Sequence, residues 1–99
     1  MNRNYNAGRR FEYARKKFWE SKGYTVLRTA GSHGAFDLVV IGKDDVFLVQ
    51  CKRFKSPSAA KLHLEYFKKN PPLPAGNKHY VQGMEVSVVG SKDIMEVWV

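Results

Sequence analysis

The spacing of apolar positions changes along this chain, and each change marks an element. Over residues 7–22, AGRRFEYARKKFWESK, Phe11, Ala14 and Phe18 recur at i, i+3 and i+7, which predicts a helix with that stripe facing inward. Arg9, Arg10, Lys16 and Lys17 occupy the opposite face, Asn4 or Asn6 suits a cap, and Gly23 is a stop signal. Residues 24–29, YTVLRT, carry the β-branched and aromatic content of a strand, and AGSHGA after them is a loop. FDLVVI (36–41) and VFLVQCK (46–52) are apolar on both alternating faces, the pattern of interior strands covered on two sides. GKDD between them predicts a tight hairpin turn. SPSAAKLHLEYFKK predicts a second helix, with Ser56 as N-cap, Pro57 at the first helical position, and Leu62, Tyr66 and Ala59 inward. NPPLPAGN is a loop, and residues 78–99 give two more strands around a hairpin at GSKD. The predicted order is α-β-β-β-α-β-β, with no repeat and no linker, so residues 1–99 form one domain.

Three polar residues interrupt this pattern. Asp37 opens one interior strand, and Gln50 and Lys52 share a face near the end of the next. In an antiparallel hairpin the start of one strand lies beside the end of the other, so all three belong at one end of the sheet. Burying such groups without partners costs several kcal/mol. An Asp37–Lys52 ion pair would offset that cost. So would a divalent-metal site, in which a hard cation takes oxygen ligands and the Lys stabilises charge on a phosphate. Glu12, beside Phe11 on the first helix, poses the same choice: an i, i+4 pair with Lys16, or a second carboxylate at that sheet edge.

On Asp37, Gln50 and Lys52 alone the ion pair is the favoured alternative, and Glu12 shifts the balance toward a metal site; net charge bears on partners instead. Lys and Arg number 17 against nine Asp and Glu, for a net +8, which points to a polyanionic partner; a merely solvated basic surface is the plain alternative. Cys51 is the single cysteine, so no internal disulfide forms, no zinc-site spacing occurs, and a reducing, intracellular (cytoplasmic) setting is expected. The N-terminal region is charged throughout, without an apolar run of leader length, and the other apolar runs are too short to cross a bilayer.

Taken in order, Gly8 and Glu12 on the first helix, Gly23-Tyr24-x-Val26, Arg28, Gly31-Ser32, Asp37 and the strand end Gln50-Cys51-Lys52 resemble the archaeal Holliday junction resolvase family of the PD-(D/E)XK nucleases. The resemblance covers residues 8–53. It implies an α/β, restriction-endonuclease-like αβββαβ core with a mixed central sheet flanked by helices. It also implies Mg²⁺-dependent phosphodiester hydrolysis (Mn²⁺ substituting) and a homodimer acting on branched DNA. Glu12, Asp37 and Lys52 then match the helix acid, the metal-binding Asp and the motif Lys, Ser32 matches a functional loop serine, and Arg28 matches a strand arginine. The implied metal shell is Asp37, Glu12, the Gln50 amide oxygen and the Cys51 carbonyl.

Two positions depart from the family pattern. Phe36 stands where Pro usually precedes the Asp, and Gln50 stands at the second acidic position. An amide oxygen is a permitted Mg²⁺ ligand, but it brings no charge. Around the site Arg9, Arg10, Arg15, Lys16, Lys17, Arg53, Lys55 and Lys61 are candidate phosphate contacts, with Arg28 and the loop residue His33 beside them. Three functions compete: a junction-resolving endonuclease, a basic nucleic-acid-binding module on a degenerate nuclease fold, and another small nuclease of the superfamily. Glu12, Asp37 and Lys52 together favour a nuclease, because a pure binding module has no use for acids facing phosphates. The apolar C-terminal strands, with Met95, Val97 and Trp98, are the expected dimer contact.

Overall fold

A computed structural model describes residues 3–29 and 34–99, with side chains from residue 7 onward. The elements are α1 (Arg3–Ser21), β1 (Thr25–Arg28), β2 (Leu38–Ile41), β3 (Val46–Phe54), α2 (Pro57–Lys69), β4 (Val81–Val88) and β5 (Ile94–Trp98). Their order is the predicted one. The strands form one sheet in the order β1-β2-β3-β4-β5. Neighbours are antiparallel except β3 and β4, which run parallel. A parallel pair needs a crossover, and α2 supplies it. The result is the expected mixed α/β sheet with a helix on each face.

Local signals account for most boundaries. The Ser56 side chain accepts a hydrogen bond from the Ala59 N–H at 3.3 Å, and Pro57 follows at the first helical position. Gly23 closes α1 with φ 96°, a left-handed conformation in which a Cβ would be strained, and its N–H donates to the Glu20 carbonyl at 3.0 Å. Asn4 and Asn6 lie inside α1, which begins earlier than the sequence pattern suggests, so neither is the cap. The Pro-rich loop is pinned by the buried Gln82. Its amide accepts from the Leu73 N–H at 3.0 Å and donates to the Leu73 carbonyl at 2.7 Å, acting as a strand partner to a segment that has none.

Two clusters fill the space on either side of the sheet. Phe11, Val26, Leu38, Val40, Val49 and Cys51 pack under α1, and Ala60, Phe67, Met84, Val86 and Val88 pack under α2. The inward stripes differ from those expected. On α1, Phe11 is buried but Ala14 and Phe18 face outward, and Arg15 and Trp19 turn in instead. The cause is a buried partner on β4, Glu85, described below. On α2, Ala60 and Phe67 face β4 while Leu62 and Tyr66 are 66% and 67% exposed, so these two belong to the outer surface. The expectation that both central strands are covered on two sides holds for β3 more than for β2. α2 lies over β3, β4 and β5, which leaves Ile41 exposed at the end of β2. The C-terminal strand is used within the chain: Met95 and Val97 pack under α2, and the Trp98 ring lies directly on Gly83. A Cβ at Gly83 would strike that indole, so only glycine lets the ring close over β4.

Candidate active site

Asp37 stands immediately before β2, where its N–H donates to the Val49 carbonyl at 2.8 Å and extends the β2–β3 ladder by one residue. Its Oδ2 accepts from the Cys51 N–H at 2.7 Å. The carboxylate is thus fixed by the backbone of β3, with its second oxygen left for another partner. In a strand the N–H and C=O of one residue point to the same side, so the Cys51 carbonyl is aimed at this edge as well. The Cys51 thiol is buried, and burial, followed by the charge of Glu85, pushes its pKa well up; it packs as a small apolar group.

Arg28 pairs with Leu38 across β1 and β2, which puts it at the same sheet end. Its Nε lies 3.3 Å from Glu12 Oε1, and its guanidinium lies 4.8 Å from the Tyr13 ring centroid. Arg28 Nε is thus buried beside a counter-charge, with no hydrogen-bond acceptor among the described residues. Glu12 holds its proton more tightly than a free glutamate. Burial is the main cause and the charge of Asp37 the next, with Arg28 acting in opposition. Two carboxylates and an arginine therefore meet at the mouth of β2. Lys16 pairs with Glu20 at 2.9 Å, so the plain Glu12–Lys16 alternative is not what the fold uses. No Asp37–Lys52 ion pair forms among the described residues.

Gln50 and Lys52 reach the same end from the other layer. Val49 and Cys51 face α1, whereas Gln50 and Lys52 line a cavity of about 390 Å³ under α2, with Phe54, His63 and Tyr66. The Leu38–Val49 pairing places Asp37 opposite Gln50 when extended by one residue. The site thus straddles the sheet edge, with Glu12 and Arg28 on the α1 side and Gln50 and Lys52 on the α2 side. Ser32 and His33 lie outside the described residues. Among the described residues no group of three or more His, Cys, Asp or Glu gathers as a metal cluster. The donor set is two carboxylates, an amide and a carbonyl. All are oxygens, which fits a hard divalent ion that keeps several of its waters.

Of the candidate phosphate contacts, Arg10, Lys17, Arg53, Lys55 and Lys61 are exposed, and Arg9 is exposed with its guanidinium near the Tyr13 ring. Arg15 is not part of such a surface. Its guanidinium bonds both oxygens of Glu85, at 3.1 and 2.7 Å, and the Trp19 indole N–H adds a third bond at 3.3 Å. Glu85 is fully buried on β4 and escaped the sequence reading. Its signal in the sequence is a charged residue in the middle of the segment VQGMEVSVV, whose other polar members, Gln82 and Ser87, are uncharged.

Glu12→Gln is expected to stabilise the fold at neutral pH while damaging the site. A carboxyl whose folded pKa is raised favours folding most below its unfolded value of about 4.3, and that contribution is lost as pH rises through the folded pKa. Urea unfolding midpoints of the two proteins should converge near pH ~4 and separate above it, the variant being higher. A wild type more stable than the variant at neutral pH would show that Arg28 outweighs burial.

Comparison with known proteins bears on the family and the fold. A family model, Mrr_cat, described as restriction endonuclease, matches residues 4–69. A crossover junction endodeoxyribonuclease, Hjc, of Methanocaldococcus jannaschii is 38% identical over 52 residues, which is 52% of this chain and only 38% of that protein's length. The structure of Archaeoglobus fulgidus Hjc, a Holliday junction resolvase from an archaeal hyperthermophile, superposes with a TM-score of 0.55 at 12% identity, covering 92% of this chain and 83% of that one. At that identity the likeness speaks for the fold. The family match spans two thirds of the sequence and takes in Glu12, Asp37, Gln50 and Lys52, and on it the chain belongs to the Mrr_cat restriction endonuclease family.

Proposed function

We propose that this protein is a divalent-metal-dependent, structure-selective DNA endonuclease that acts as a homodimer on branched DNA of the four-way-junction class. The observation that carries the reading is the meeting of Glu12, Asp37 and Arg28 at the mouth of β2, with Gln50 and Lys52 closing the same sheet edge from the α2 side. Asp37, with Glu12 through water, the Gln50 amide oxygen and the Cys51 carbonyl, would hold Mg²⁺, or Mn²⁺ in its place. When bound there, such an ion would supply Lewis acidity at the phosphate and lower the pKa of a water. Lys52 stabilises negative charge on the phosphate, and Asp37 is held in place for its role by the Cys51 N–H. The reaction belongs inside the cell, where the DNA is and where Cys51 stays reduced. No helix among the described residues is long and apolar enough to cross a membrane.

The test incubates the protein with four-way junctions, flaps, duplex and single strands in Mg²⁺, Mn²⁺ or EDTA. Cleavage should need metal and favour junctions. Binding should persist in EDTA and weaken steeply with salt, because exposed cations such as Arg9, Arg10, Arg53 and Lys55 displace counterions from phosphates. A flat salt dependence would exclude a phosphate-tracking surface. Gln50 favours one second reading, a binding module that has lost a ligand charge and cuts nothing under any of these conditions.

For the homodimer, α2 now offers a better surface than the C-terminal strand. Leu62 and Tyr66, one turn apart, are each about two thirds exposed, whereas Met95 and Val97 are already packed. Tyr66→Glu, which puts a charge at the centre of that face, is expected to shift a dimer to a monomer in light scattering at micromolar concentration. A variant that remains dimeric would move the contact elsewhere.

A further inference from the structure

Glu85 is the one buried carboxylate among the described residues that lies apart from the Asp37 edge, and its placement links the two halves of that edge. Glu12 is carried by α1. Asp37 is held by the backbone N–H of Cys51 on β3. Cys51 is the register partner of Glu85 in the parallel β3–β4 pair. From that position Glu85 reaches across to α1 and takes a two-pronged bond from Arg15, three residues after Glu12 and so on the same helix face, and a third bond from Trp19 one turn further on. Helix α1 is thereby fastened to the very strand pair that orients Asp37. Arg15 is itself restrained, since its guanidinium stacks on the Phe18 ring 4.1 Å from the centroid. A helix held by apolar contacts alone can rotate or slide by small amounts at little cost, whereas a planar fork bonded to both oxygens of a buried carboxylate cannot.

We infer that Glu85 is a positioning residue for the candidate metal site: acting through Arg15, it sets the rotation of α1 and so the place of Glu12 relative to Asp37. The inference rests on the metal-site reading above. A purely structural ion pair predicts something different. A buried pair replaced by apolar residues of similar size usually keeps or gains stability, so the structural and positioning roles can be separated.

The test measures Mn²⁺ binding by titration calorimetry and stability by thermal melting on the wild type, on Asp37→Asn, and on the double variant Arg15→Met with Glu85→Leu. The double variant should melt near the wild type and yet bind Mn²⁺ roughly 10-fold or more weakly, as expected when groups that orient metal ligands are removed. Arg15→Lys is the second probe. It keeps a counter-charge for Glu85, so the fold survives, but it loses the fork, and Mn²⁺ binding should weaken in the same direction. A stable double variant or a stable Arg15→Lys protein that binds Mn²⁺ as the wild type does would overturn the positioning role while leaving the metal site in place. A wild type that binds Mn²⁺ no better than Asp37→Asn would instead remove the metal site, and this inference with it.

Discussion

Asp37→Asn is expected to abolish cleavage, by roughly 10³-fold or more, while the protein folds and binds DNA as before. The asparagine amide oxygen can still accept the Cys51 N–H that now bonds Oδ2 at 2.7 Å, so the strand mouth keeps its shape. Only the charge that would hold the ion is lost. Lys52→Ala should abolish cutting to a similar degree, because Lys52 lines the α2 side of this sheet edge and would bring a positive charge to the phosphate. Gln50→Glu points the other way. It restores a third carboxylate, and it should tighten metal binding and keep or raise activity. A cleavage gel with the four proteins separates the possibilities. Cutting by the wild type that persists after Lys52→Ala would place the active site elsewhere. A wild type that never cuts, with activity appearing in Gln50→Glu, would mark a binding module one residue away from an enzyme.

Arg15→Ala is expected to cost about 3–5 kcal/mol of stability. The substitution leaves the Glu85 carboxylate fully buried with the Trp19 indole as its remaining donor. A chain of 99 residues has a total stability of about 5–15 kcal/mol, so the loss is a large fraction of the whole. The melting temperature should fall by more than ~10 °C in circular dichroism. An unchanged melt would mean that water reaches Glu85 once the guanidinium is gone.

The order of elements was legible in the sequence because each rests on local chemistry: Ser56 and Pro57 begin α2, Gly23 ends α1, and the paired apolar strands flank the Gly42-Lys43-Asp44-Asp45 turn. Asp37, Gln50 and Lys52 were legible for a related reason, since polar groups at the ends of apolar strands require an explanation. What escaped depends on partners far away in the chain. The inward turn of Arg15 and Trp19 is set by Glu85, 70 and 66 residues later, and periodicity on α1 alone selects Ala14 and Phe18 instead. The same holds for α2. Leu62 and Tyr66 share a helical spacing with each other as good as that of Ala60 and Phe67, and only the position of β4 decides which pair is covered. Glu12 follows the same rule: its ion-pair partner is Arg28 on β1, which no spacing along α1 can reveal, while Lys16, the alternative partner that the helix spacing offers, pairs with Glu20.

The contact of Trp98 with Gly83 has a spectroscopic consequence. The chain has two tryptophans, and their rings lie 6.0 Å apart at 84° in one aromatic cluster with Tyr24 and Phe47. Indoles this close couple their excited states, so the pair should give a strong near-ultraviolet circular dichroism signal that depends on their mutual angle. One ring rides on α1 and the other on β5, and their emission therefore reports the seam between that helix and the far edge of the sheet. It does not report the strand mouth where Asp37 sits. The protein thus carries a built-in optical gauge of helix docking, readable without a label in every variant that keeps both indoles.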